Sequence, residues 1–143
     1  MGLYNHRGNE VDMSKTYDFL TECGTFFVAT VDNDTPAVRP FGAVMELGGE
    51  LYISTANTKA VYSQLKSNQS VQIVALRVGT RDWIRIDGKA VEVFDGDIKQ
   101  LMLDTCPALN RRFLSRDCSN YALFRITDMV SSINCNGEFI RIS

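Results

Sequence analysis

The chain has 143 residues, the length of one domain, and a single hydrophobic core is the default at that size. Hydrophobic residues make up 45% and charged residues 22%, the profile of a folded globular domain rather than a disordered chain. Fifteen Lys and Arg against seventeen Asp and Glu leave a net charge of -2, so no overall positive field attracts nucleic acid.

The longest run without a charged residue is the ten residues 67–76. A membrane-spanning helix needs about 20 apolar residues, so none is expected. The amino-terminal MGLYNHRGNEVDMSK lacks the continuous apolar centre of a secretory signal, which makes the cytoplasm the expected location. Residues 1–12, with Gly2, Asn5, Gly8, Asn9 and several charges, read as a flexible extension, and the folded domain is expected over 13–143. Cys23, Cys106, Cys118 and Cys135 include no C-x-x-C pair, and the single histidine, His6, lies in the extension. No metal site is expected, and the thiols read as buried and reduced.

In chain order, Ser14 is expected to cap a short helix to about residue 23, with Tyr17, Phe19 and Leu20 inward and Gly24 as its stop. Residues 25–31, aromatic and β-branched, predict a strand. Asp32-Asn33-Asp34 predicts a turn into a second strand over 37–47, and Gly48-Gly49 a two-residue hairpin into a third over 50–54. Asn57 or Thr58 is expected to cap a helix to about 67, with Val61, Tyr62 and Leu65 inward. Residues 71–78 and 82–93 predict an antiparallel pair. Asp95 and Asp97 open a third helix with Ile98, Leu101 and Met102 inward and Pro107 ending it, and a shorter helix is expected over 108–114. Two strands, 121–131 and 133–142, complete the pattern, with Asn136-Gly137 a tight turn inside the last.

Strands in consecutive antiparallel pairs, with helices inserted singly, exclude the alternation of a parallel sheet. The expected fold is mainly β, an antiparallel barrel of six or seven strands with three or four short peripheral helices, closure removing the open sheet edges.

The hairpin register at Gly48-Gly49 sets Gly42 opposite Thr55 and brings Arg39 toward Thr58. The segment Ser54-Thr55-Ala56-Asn57-Thr58-Lys59 leaves a strand and opens a helix, where unpaired N–H groups and the helix dipole favour an anion. Hydroxyls of Thr55 and Thr58, the Lys59 ammonium and the Arg39 guanidinium together have the chemistry of a phosphate pocket. Such a group before a helix is also what an ordinary cap contains, but Pro40 beside Arg39 cannot donate to a ladder and marks an edge that a ligand can reach. In residues 81–88, Ile84 and Ile86 alternate with Trp83, Arg85 and Asp87. One face is core. On the other, Trp83 and Arg85 are set either to stack on and hydrogen-bond a planar ligand or to form an interface pair, with Gly88 marking a bulge.

With its first helix and FFVATV strand, the strand Ala37-Val38-Arg39-Pro40-Phe41, the segment LYISTANTK, residues 65–74 and WIRIDGKAVEV, the chain resembles the FMN-binding split-barrel proteins of the pyridoxamine 5'-phosphate oxidase-like superfamily over about 14–142. The resemblance implies an FMN whose phosphate lies near Lys59 and Thr55 or Thr58, with Arg39 at the phosphate or flavin edge and Pro40 and Phe41 bordering the ring. It places Ser54 and Asn57 in the same binding segment and Trp83 and Arg85 along the cofactor groove. It also implies a homodimer with FMN at the subunit interface, some side chains serving the partner's flavin.

Full-length oxidases of vitamin B6 metabolism carry a C-terminal Arg/His substrate motif that this sequence lacks, which argues against that substrate. The function expected is an FMN-dependent oxidoreductase moving hydride or electrons between a reduced nicotinamide and a small acceptor. A non-catalytic flavin module for storage, sensing or electron carriage is the second reading. A cofactor-free dimer is the third, and an oligonucleotide-binding barrel fits worst because basic and aromatic residues are not interleaved.

Overall fold

A computed structural model describes residues 3–4, 10–11 and 13–143, with side chains from residue 15 onward. In the expected extension, β1 (Leu3–Tyr4) pairs antiparallel with β2 (Glu10–Val11). The rest of that segment, His6 included, lies outside the described residues.

Helix α1 (Met13–Cys23) starts one residue before Ser14, which therefore sits in the first turn instead of capping it. Phe19 and Leu20 are buried, and Gly24, at φ 78°, donates its N–H to the Leu20 carbonyl at 3.0 Å and stops the helix. Strands β3 (Phe26–Asp32) and β4 (Thr35–Phe41) pair across a turn at Asn33, whose φ is 55°.

The single strand expected over 37–47 is two. β4 pairs with β3, whereas β5 (Met45–Leu47) pairs with β6 (Glu50–Ala56) across the Gly48-Gly49 turn, both glycines at positive φ. The main sheet runs β4-β3-β7-β8-β9-β6-β5, so β4 and β5 are its two ends. Only residues 42–44 connect them, and four Cα–Cα steps reach at most about 15 Å. The ends must therefore come close, and the sheet curls into a barrel that is split between β4 and β5. Pro40 and Gly42 are where the chain leaves one end for the other, which hydrophobic patterning alone does not mark.

Helix α2 (Ala60–Ser67) buries Val61 and Leu65 and begins after Lys59, so neither Asn57 nor Thr58 caps it. Strands β7 (Ser70–Leu76) and β8 (Trp83–Val93) pair as expected, with Leu76 opposite Trp83. The bulge expected at Gly88 is present as a register shift between Asp87 and Lys89 on β9 (Tyr121–Cys135).

In α3 (Gly96–Thr105) the Asp95 carboxylate accepts from the N–H groups of Asp97 and Ile98, while Met102 and Leu103 are buried. Leu101 is exposed, because the helix turns position 103 rather than 101 toward Phe113 and Tyr121. The segment after it is a 3-10 turn, Pro107–Arg111, shorter than the helix expected over 108–114. β9 is uninterrupted at Ser132, which pairs with both Arg85 and Arg141. Ladder bonds on both sides override the weak local strand preference there. β10 (Glu138–Arg141) returns across Asn136-Gly137. The result is an eight-stranded antiparallel sheet with three helices, the extra strand arising from the split of 37–47.

The barrel is filled by Phe26, Val28, Ile53, Ile73, Ile86 and Phe124, joined by Phe19 and Leu20 of α1 and Val61 and Leu65 of α2. A second cluster of Met45, Tyr52, Met102 and Leu123 seats α3 against the other face of β6. Among the described residues no helix is long and apolar enough to cross a membrane.

Candidate functional site

A cleft of about 590 Å³ opens at the split, between the end of β4 and the carboxyl end of β6. Small-molecule sites fall in the range of about 300–1,000 Å³. β4 contributes Arg39, Pro40 and Phe41, and the crossing segment contributes Gly42 and Ala43. β6 contributes Ser54 and Thr55, and the start of α2 adds Lys59 and Val61.

Arg39 reaches the cleft by a route different from the expected hairpin register. Its ladder partner is Val28, because β5 begins only at Met45 and pairs with β6 rather than β4. Closure of the barrel, rather than the hairpin, brings it beside 54–59. Its guanidinium donates to Thr30 Oγ1 at 2.8 Å, to the Val28 carbonyl at 3.2 Å and to Gln64 Oε1, tying β4 to β3 and α2. Burial lowers its pKa from the usual arginine value. These bonds use three of its five N–H donors, leaving two for a ligand.

Ser54 and Thr55 are both buried, and Ser54 Oγ has no hydrogen-bond partner among the described residues. A buried hydroxyl without a partner costs about 1–3 kcal/mol. Lys59 occupies the N-cap position of α2 with extended backbone and gives no side-chain cap to the helix. The first turn of α2, which follows Lys59, leaves N–H groups without intrahelical partners and adds the positive end of the helix dipole beside it.

The remaining wall comes from residues 106–112, which local pattern marks only as the end of one helix and a shorter one after it. Cys106 donates its thiol to the Val44 carbonyl at 3.4 Å, and burial pushes its pKa up. Arg111 and Arg112 follow at the end of the 3-10 turn. Among the described residues the lining thus holds Arg39, Lys59, Arg111 and Arg112 and no carboxylate, in a chain whose net charge is -2. Such a cleft attracts anions. The adjacent Arg-Arg pair after Pro107 was the available sequence signal.

Four of the expected site residues are not in the lining. Asn57 instead donates its side-chain N–H to the Ser119 carbonyl at 2.8 Å and its backbone N–H to Asn120, fastening the turn to the loop before β9. Thr58 is exposed in that turn. Trp83 and Arg85 lie on the outer sheet face, where the Trp83 ring is 5.3 Å from Phe139 and the Arg85 guanidinium stands 4.7 Å over Phe139. The four thiols are free and half-buried, and among the described residues no cluster of three metal-ligating side chains occurs.

A family model described as pyridoxamine 5'-phosphate oxidase matches residues 14–127. A NimC/NimA family protein from Clostridium acetobutylicum is 35% identical, the match covering 90% of this chain and 92% of that one with a TM-score of 0.83. A pyridoxamine 5'-phosphate oxidase-related, FMN-binding protein from Nostoc punctiforme aligns over 93% of this chain and 86% of its own, at 15% identity and a TM-score of 0.69. A heme-binding protein from Mycobacterium smegmatis aligns over 90% of this chain and 56% of its own, at 13% identity and a TM-score of 0.72. The last two likenesses are of fold alone. Comparison with curated proteins gave no match.

Proposed function

Because the chain belongs to the pyridoxamine 5'-phosphate oxidase-like family, we propose that its cleft binds FMN and that the protein is an FMN-dependent oxidoreductase. The observation that carries this reading is the combination, among the described residues, of cations without a carboxylate, an uncapped helix start and the unpartnered Ser54 hydroxyl in one cleft. In it Lys59, Arg39 and the first N–H groups of α2 hold the phosphate, Ser54 and Thr55 donate to it or to the ribityl chain, and Pro40 and Phe41 border the ring.

Bound flavin supplies hydride and electron transfer. The protein's part is orientation and charge: Arg39, held by Thr30 and Gln64, cannot swing away, and its remaining donors oppose negative charge on the ligand. A reduced nicotinamide is the proposed donor and a small molecule the acceptor. Heme fits the cleft less well, since among the described residues no histidine lines it and the Cys106 thiol is engaged with Val44.

The test is the absorption spectrum of the purified protein after incubation with FMN and removal of excess. Flavin bands at one per protomer are expected, and a colourless protein overturns the reading. Ser54→Ala sharpens it, because it removes a hydroxyl that is unsatisfied without ligand. The flavin-free variant is expected to be as stable as the parent or about 1 kcal/mol more so, while FMN binds several-fold more weakly. A parallel loss of stability and affinity would remove Ser54 from the binding set.

The proposed assembly is a homodimer. On the outer sheet face Leu76, opposite Trp83, and Phe139, packed on its ring, are 56% and 42% exposed, and Phe27 and Val38 are exposed farther along the same face, apolar surface that a second copy would cover. Sedimentation is expected to give twice the protomer mass. A monomer at micromolar concentration would overturn this assignment and leave the cleft reading standing.

A further inference from the structure

The four cations of the cleft outnumber what one FMN phosphate requires. A phosphate monoester carries about two negative charges near neutrality, and Arg39 and Lys59 with the open end of α2 suffice for it. Arg111 and Arg112 come from a different element, the 3-10 turn, and among the described residues neither has an ion pair or a side-chain hydrogen bond. Of the other arginines, Arg77 is paired with Glu22 and Asp82, Arg116 with Asp97, and Arg125 with Glu50, whereas Arg81 and Arg85 lie away from the cleft and have no ion pair among the described residues.

The backbone carrying the pair is anchored while its side chains are exposed. Phe113, the next residue, is buried and stacks on Tyr121 at 4.7 Å, and the N–H groups of Arg112 and Phe113 both donate to the Leu109 carbonyl. Two guanidinium groups are thereby presented at the mouth of the cleft, each able to grip a phosphate through two parallel N–H bonds.

Resting on the FMN reading, we infer that Arg111 and Arg112 bind the diphosphate of a second reactant, the nicotinamide dinucleotide that donates the hydride. Two adjacent cations match the two charges of a diphosphate. Their exposure at the rim suits a ligand that inserts an uncharged ring and leaves its nucleotide end outside. The reaction served moves one hydride, a proton with two electrons, from the dihydronicotinamide to the flavin. The nicotinamide ends as the oxidised pyridinium, and neither arginine gains or loses a proton.

The experiment titrates FMN-loaded protein with ADP and with adenosine by calorimetry, comparing the parent, the double variant Arg111→Ala/Arg112→Ala, and Arg116→Ala, whose side chain pairs with Asp97 outside the cleft. ADP is expected to bind the parent and Arg116→Ala more tightly than adenosine. The double variant is expected to lose ten- to a hundredfold for ADP and nothing for adenosine, with its FMN content unchanged. In reduction assays the KM for NADH is expected to rise in the double variant, while the uncharged donor 1-benzyl-1,4-dihydronicotinamide is unaffected.

Equal binding of ADP and adenosine to the parent overturns the inference, as does release of FMN by ADP, which would put the diphosphate in the flavin site. A protein that takes up no FMN refutes the flavin reading by itself. The ADP titration of that flavin-free protein still decides for the pair: loss in Lys59→Ala with none in the double variant overturns it.

Discussion

Lys59→Ala is expected to weaken FMN binding about ten- to a hundredfold and to leave riboflavin binding within a few-fold of the parent. A hydrogen bond to a charged group contributes about 1.5–3 kcal/mol, and that range sets the size of the loss. The variant is a clean probe because Lys59 is exposed and has no ion pair among the described residues, so its removal strands no buried charge. Thermal stability of the flavin-free protein is expected to change by less than about 0.5 kcal/mol. Riboflavin has the same ring and ribityl chain without the phosphate, so equal losses for the two ligands would remove Lys59 from the phosphate. The difference between parent and variant is expected to shrink as salt rises, since screening acts on the ammonium–phosphate attraction and not on ring contacts.

Gly88→Ala is expected to destabilise the barrel by about 2–3 kcal/mol, lowering the melting temperature by about 6–12 °C. A Cβ on Gly88 would stand 2.7 Å from Ile126 Cγ2 and 2.9 Å from the Thr127 carbonyl oxygen. The second contact is with backbone in the strand paired to β8, so relief requires moving the ladder itself. Gly88→Val, with two further methyl groups, is expected to be worse. Once FMN is saturating, the folded fraction should bind as the parent does, because the cleft is built from β4, β6, α2 and the 3-10 turn. Denaturant unfolding checks the first statement, and flavin titration of the folded fraction checks the second. A Gly88→Ala protein as stable as the parent would mean that β8 and β9 can separate at the bulge at little cost.

Those two variants lie at opposite ends of what could be read from the chain. Gly88 was recognisable as a bulge because a lone glycine inside a strand pattern marks one, and that signal is local. The same holds for Gly24, Gly48-Gly49 and Asn136-Gly137, whose backbones adopt positive φ where the turn chemistry demands it. Lys59 and Arg39 were recognisable as charges beside a strand-to-helix junction. They share a cleft for a reason other than the hairpin register, which ends at Met45.

Ser54 shows a different kind of legibility. Its place in the segment before α2 was visible, but that its hydroxyl is buried without a partner depends on what packs around β6. Arg111 and Arg112 are not legible in the sequence, because nothing local distinguishes an arginine at the mouth of a cleft from one in solvent. Only the seating of Phe113 on Tyr121 carries their turn to the cleft. Asn57 and Thr58 are the converse case: good capping residues by type, but placed in a turn that Asn57 fastens to the loop before β9.

The sequence by itself determined the antiparallel, mainly β character of this chain, the positions of its helices and tight turns, and the family to which it belongs. These follow from periodicity, turn residues and short motifs, which act over a few neighbouring positions. The tertiary structure alone decided where the sheet splits, which strand Arg39 pairs with, and that cations from residues 39, 59, 111 and 112 line one cleft. Those outcomes depend on a sheet closing on itself, and closure is set by contacts between residues far apart in the chain that no local pattern records.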